Sequence, residues 1–217
     1  MPGPVSDTPC CDKPAGRGRR PDPRKREAII EAAAALFVSH GYHITMDAIA
    51  AEAGVSKQTI YNLFSTKEDL FGAVIADRGE RVFGVLSRPP ADAGPEEVLR
   101  QVGRQFLALV AGGPAICVQR MMVMAGSDPA VTRRYYENGP RRALTLLATY
   151  LRQETEKGRL AVPDPDMAAE AFLGMLNGHM QMRTLMGLQS EWPEEYLRRK
   201  AEFAVETFLR AYAVSPA

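Results

Sequence analysis

This sequence is short of cysteine and histidine, has no long apolar run, shows no sustained two-residue alternation and carries almost no net charge. Each shortage excludes something. Cys10 and Cys11 are adjacent in a proline-rich tail and Cys117 stands alone in an apolar run, so neither a disulfide framework nor a paired metal-ligand spacing is available. His40, His43 and His179 join no cysteine or carboxylate cluster, and no nucleotide-binding glycine loop or activated serine motif occurs. An enzyme, a bound metal and a cofactor are therefore not expected. Met1 to Thr8 lack the apolar core of an export signal, and no stretch of about 18 residues is free of polar side chains, so a cytoplasmic protein with no membrane segment is expected. Missing alternation argues against a sheet.

The near-zero charge is the least simple of these absences. Lys plus Arg total 27 and Asp plus Glu 26, a net charge of +1, which excludes a uniformly basic nucleic-acid coat. Charges more than about 8 Å apart are screened from one another in physiological salt, so their distribution matters more than their sum. Residues 13 to 26 carry Lys13, Arg17, Arg19, Arg20, Arg24, Lys25 and Arg26 against Asp22, a local balance of +6. A chain of 217 residues, 46% hydrophobic and 24% charged, is long enough for one medium domain or two small ones.

What is present is helical punctuation. Residues 1–22 read as a flexible basic arm. From Pro23, Ile29, Ala33, Leu36 and Phe37 recur at helical spacing and Gly41 supplies a stop. Thr45 and Ser56 are caps for two short helices separated by Gly54, and Ser65 is expected to cap a fourth helix ending near Leu86. Further starts follow at Pro95, Pro129, Pro165 and Pro193, with Asn138-Gly139-Pro140 expected to kink or split one helix. About nine helices result, an all-α chain.

Met46 to Ser65 fits a helix-turn-helix: Ala50 for close crossing, Gly54 for the turn, and Ile49, Ala53, Val55, Ile60 and Leu63 to pin the second helix. With Ile60 and Phe64 inward, Lys57, Gln58, Thr59 and Asn62 face outward and Tyr61 flanks them. Gln58 and Asn62 suit adenine edges, Lys57 and Thr59 guanine or thymine, and Ser56, Tyr61 and Lys67 the phosphates. A solvated polar face explains the spacing equally well. The adjacent basic arm, including Arg19 and Arg20, tips the balance toward DNA.

The segment TMDAIAAEAGVSKQTIYNLFSTKEDLF, residues 45 to 71, resembles the DNA-binding signature of the TetR/AcrR family of bacterial transcription regulators. RRYYENGPRRAL and GRLAVPDPDMAAEAFLGMLNGH are similar to the C-terminal domain of AefR-like members. One departure is Tyr61-Asn62-Leu63-Phe64, where many members have Tyr-x-His-Phe, so Leu63 is expected to pack. The resemblance implies an N-terminal three-helix DNA-binding domain, residues 23–66, and a C-terminal helical ligand-binding and dimerisation domain, residues 67–217. It also implies that Thr45, Lys57, Gln58, Thr59, Tyr61, Asn62 and Lys67 face double-stranded DNA.

The implied function is a repressor that binds a palindromic operator as a homodimer and is released by a small apolar effector. Ala168, Ala169, Ala171, Gly174, Gly178, Phe172, Phe203, Val205 and Phe208 are candidates for the dimer interface, and helix-helix core within one chain accounts for them as well. Eight of the ten methionines lie between residues 121 and 186. Core is the plain explanation for most. The effector cavity is expected to draw on Phe106, Met121, Met124, Tyr150, Phe172, Met175 and His179.

Overall fold

The computed structural model describes residues 22–124, 128–189 and 191–214, so the arm with Arg19 and Arg20 lies outside the described residues. Ten helices occur among the described residues: α1 Pro23–His40, α2 Met46–Glu52, α3 Lys57–Leu63, α4 Lys67–Ser87, α5 Pro95–Ala111, α6 Gly113–Met124, α7 Pro129–Asn138, α8 Pro140–Glu156, α9 Pro165–Leu185 and α10 Glu194–Tyr212. Gly139 splits the helix that the sequence left as kinked or split, which turns about nine into ten. Among the described residues the only bridge of strand type is Leu160 with Ala213. No single described helix is long and apolar enough to cross a membrane.

Local chemistry sets the helix ends. Asp22, Thr45, Ser56, Asp128 and Asp164 each accept a hydrogen bond from a first-turn N–H. The cap of α4 is Thr66, whose hydroxyl accepts from the Asp69 N–H at 3.0 Å, one residue later than expected. Two consecutive hydroxyl residues make this a choice that only the backbone geometry decides.

Two apolar cores are built. The head core gathers Ile29, Ala33, Phe37, Ile49, Ile60, Phe64, Leu70 and Phe71 from α1–α4, joined by Met122 of α6 and Val131 of α7. The body core gathers the rest of α4 with α5 and α8–α10, including Phe83, Leu99, Leu147, Tyr150, Phe172 and Phe208. Helix α4 belongs to both, with Leu70, Phe71 and Val74 in the head and Val82, Phe83 and Leu86 in the body. A boundary after residue 66 therefore cuts just ahead of a shared strut. Helix α9 breaks at Gly178, whose φ of 42° and ψ of −142° are open to glycine and not to a β-carbon-bearing residue.

Candidate DNA interface and seam cavity

The turn between α2 and α3 closes with paired hydrogen bonds: the Val55 N–H donates to the Ala50 carbonyl at 2.9 Å and the Gly54 N–H to Ala51 at 3.1 Å. This closure needs a left-handed residue after the helix cap, and Gly54 has φ 64°. The buried Ile60 and Phe64 then anchor α3, and the Arg26 guanidinium lies 5.5 Å from the Phe64 ring centroid.

Anchoring one side exposes the other. Lys57, Gln58, Tyr61 and Asn62 are exposed, as are Thr45 and Ser56, while Thr59 and Lys67 are half-buried. Gln58 Nε2 donates to Asn62 Oδ1 at 2.9 Å, so the two amides lie side by side one helical turn apart. The hydroxyls of Ser56 and Thr59 bond each other at 2.8 Å, and Thr45 Oγ1 accepts from the Ala48 N–H, so these three groups serve local structure first. Lys57 pairs with Asp47 of α2 at 2.7 Å, and that carboxylate raises the proton affinity of its ammonium group. Asp47 was not among the expected site residues, because its effect depends on how α2 crosses α3.

Tyr42 was also missed. Its ring stacks on Phe37 and meets Phe71 edge-on, with centroids 5.8 and 5.5 Å away. Its hydroxyl donates to Glu68 Oε1 at 2.8 Å, and Lys67 Nζ sits 4.4 Å from its ring centroid. Lys67 also donates to the Ile44 carbonyl at 3.4 Å. One aromatic ring thus ties the end of α1 to the start of α4 and holds the cation at the edge of the head. The backbone N–H of Glu68 and the Tyr42 hydroxyl hold the Glu68 carboxyl below its ordinary range, whereas burial pushes the Tyr42 phenol up. The one sequence cue for Tyr42 is an aromatic residue directly between the Gly41 stop and the Thr45 cap.

A cavity of about 700 Å³ lies on the seam between head and body. Its apolar wall includes Phe83, Phe106, Leu109, Val110, Leu144 and Leu173 from α4, α5, α8 and α9. Helix α1 of the head contributes Glu31, Ala34, Ala35 and Val38, and α6 contributes Val118 and Gln119. Arg78 at its rim is held by Glu31 at 3.2 Å, and Arg81 bonds the same carboxylate. Across the cavity, Gln181 Nε2 donates to Gln119 Oε1 at 3.2 Å, and Asn177 Oδ1 is buried with no hydrogen-bond partner.

Of the six expected lining residues whose side chains are described, Phe106 alone lines the cavity. Tyr150 and Phe172 are consumed by the body core, Met175 packs against that core, Met121 packs against the head core, and His179 is exposed. The Met124 side chain lies outside the described residues. For the α9 residues the physical reason is the rotation of that helix: Glu170, Leu173, Asn177 and Gln181 are on the cavity wall, so Phe172, Met175 and His179 beside them point elsewhere. The small-residue candidates divide in the same way. Ala168, Ala169, Phe172, Val205 and Phe208 are buried within the body, whereas Ala171, Gly174, Gly178 and Phe203 are exposed. Exposed Met167 and Met182 extend their stripe along α9.

Similarity to other proteins follows this division. Residues 29–74 match the tetR family of bacterial regulatory proteins, and residues 97–214 match the AefR-like transcriptional repressor C-terminal domain. The regulator TcmR of Streptomyces glaucescens is 32% identical over 161 residues, covering 72% of this chain and 67% of that protein. The transcriptional activator FasR of Mycolicibacterium smegmatis is 44% identical over 68 residues, so this chain spans only 31% of its length. Among solved structures, a TetR-family regulator from Mesorhizobium loti aligns with a TM-score of 0.72 at 31% identity, covering 88% of this chain and 98% of that one. The flavonoid-responsive regulator FrrA aligns with a TM-score of 0.65 at 32% identity, covering 90% of this chain and all of that one.

Proposed function

Because the chain belongs to the TetR family of DNA-binding transcription regulators, which are not enzymes, we propose that it is a ligand-responsive repressor binding a palindromic operator as a homodimer in the bacterial cytoplasm. The observation that carries this reading is the acid-poor outer face of α3, with Gln58 and Asn62 side by side and free of the core. On this reading the two amides read base edges in the major groove. Thr45, Ser56, Lys57, Thr59, Tyr61 and Lys67 position the head on phosphates, and Arg19 and Arg20 in the arm add backbone attraction. A phosphate has to displace Asp47 from Lys57, an exchange between exposed groups that costs little.

One recognition helix covers too few base pairs to select a genomic site, so two copies are needed. The exposed stripe of Met167, Ala171, Gly178 and Met182 with Phe203 of α10 supplies an apolar face for a two-fold partner. A small apolar effector in the seam cavity then releases DNA if it binds better when the heads are turned away from operator spacing. In functional terms residues 1–22 are the arm, 23–66 the reading head and 67–217 the effector and dimer body, with α4 as the link. FrrA, by name responsive to flavonoids, supports a small organic effector.

The test is a titration of the full chain against duplex DNA from upstream of its own gene at several salt concentrations. A log-log slope near −0.9 per phosphate contact and two protomers per site by sedimentation are expected. An affinity independent of salt, or one monomer per site, would overturn the reading.

A further inference from the structure

The two lysines assigned to phosphates are held in different ways. Lys57 is exposed and paired with Asp47, a carboxylate that a phosphate must displace. Lys67 is half-buried, with its Nζ 4.4 Å from the Tyr42 ring centroid and donating to the Ile44 carbonyl at 3.4 Å. A ring face attracts a cation without neutralising it, and a carbonyl takes one of the three ammonium donors. At least one donor is left for an incoming anion. The two acids that follow Lys67 are engaged elsewhere: Glu68 accepts the Tyr42 hydroxyl at 2.8 Å, and Asp69 accepts from Arg134 of α7 at 2.9 Å.

The ring itself has little room to move. Phe37 stacks on it, Phe71 meets it edge-on and its hydroxyl is tied to Glu68. Phe37 and Phe71 are buried in the head core, so the ring is fixed to the same scaffold that anchors α3. A long side chain ordered only on binding costs affinity, and one already ordered does not. We propose that Tyr42 is a positioning residue for DNA binding, whose ring holds the Lys67 ammonium in place for a backbone phosphate before DNA arrives. The ring and the hydroxyl then have separate work: the ring serves affinity through Lys67, and the hydroxyl serves stability through Glu68. Tyr42 has this role only if Lys67 meets a phosphate, as the regulator reading above has it.

The test is a double-mutant cycle on the full chain, titrated against duplex DNA from upstream of its own gene at several salt concentrations. Lys67→Met is expected to lower the log-log salt slope by about 0.9. Tyr42→Leu is expected to weaken binding about fivefold in the wild-type background, and by less than about twofold when Lys67→Met is already present. Tyr42→Phe is expected to restore wild-type affinity although it lacks the hydroxyl. Pentafluorophenylalanine at position 42 keeps the shape of the ring, reverses the charge of its face, and is expected to weaken binding as Tyr42→Leu does. Equal losses from Tyr42→Leu with and without Lys67, or no rescue by Tyr42→Phe, would mean that the ring only supports the fold and would overturn the proposal. A fluorinated ring that binds as tightly as Tyr42→Phe would overturn it too, and this arm decides the matter if Tyr42→Leu does not fold. A wild type that ignores the duplex, or a full slope in Lys67→Met, would remove the phosphate contact and the role of Tyr42 together. A lowered slope in Lys67→Met without coupling to Tyr42 would remove the role of Tyr42 alone.

Discussion

The head and the body of this protein are assembled by different means. In the head, α2 and α3 are seven residues each, too short to be stable alone, and each begins with a side-chain cap and docks on one deeply buried isoleucine, Ile49 or Ile60. In the body, helices of 17 to 21 residues meet partners far away in sequence, as Phe172 meets Phe208 edge-on at 5.3 Å. A short capped helix has little freedom over which face it exposes. A long amphipathic helix has several candidate faces, and its neighbours choose between them.

The largest expected effect attacks the body. Phe172→Ala removes a fully buried ring and is expected to cost about 3 to 5 kcal/mol, read by urea denaturation, with α8–α10 losing hydrogen-exchange protection before the head. Simultaneous loss in both regions would mean that the two cores fold as one unit.

Gln58→Ala and Asn62→Ala leave both cores untouched and are expected to relax base preference by about 1 to 3 kcal/mol each, measured by competition between operator variants. Equal weakening on every sequence would demote these amides to phosphate contacts. Gly54→Ala forces a β-carbon into a left-handed backbone and is expected to cost about 1 to 2 kcal/mol in thermal unfolding while also misdirecting α3. An unchanged melting temperature would show that the turn relaxes.

Tyr42→Phe deletes the hydroxyl bonded to Glu68 and is expected to cost about 1 kcal/mol at neutral pH. The sign of its pH dependence follows from the lowered pKa of Glu68. The carboxylate contributes stability above its ordinary titration range, and that contribution is lost as pH falls through the lowered value. Unfolding curves from about pH 6 down to pH 3 are therefore expected to converge for wild type and variant. Asp47→Ala has the smallest effect: freeing Lys57 and removing an exposed acid is expected to tighten DNA binding a few-fold at low salt, with no gain at high salt.

Much of the head was legible because its signals act over three or four residues. Thr45, Ser56 and Gly54 occupy the structural positions that their chemistry implies, and Ser65 yielded to Thr66 only because two hydroxyl residues are adjacent. The exposed row of α3 followed from Ile60 turning inward. Tyr42, Asp47 and Glu68 were not legible, since their roles arise where α1, α2 and α4 meet in space. In the body, helix starts were read well and helix faces were not. Apolar character singled out Tyr150, Phe172 and Met175 for a cavity, and that same character placed them in or against the core.

By itself the sequence determined that the chain is all-α, where most helices begin and end, and that one short helix presents a polar face. Caps, glycines and prolines enforce such features through their immediate neighbours. Tertiary structure decided that α4 is shared by two cores, that Lys57 is paired with Asp47, and that Leu173 and Asn177 rather than Phe172 and Met175 line the cavity. These depend on how helices separated by tens of residues rotate to bury their apolar faces. A periodic pattern names the faces available, and packing selects one.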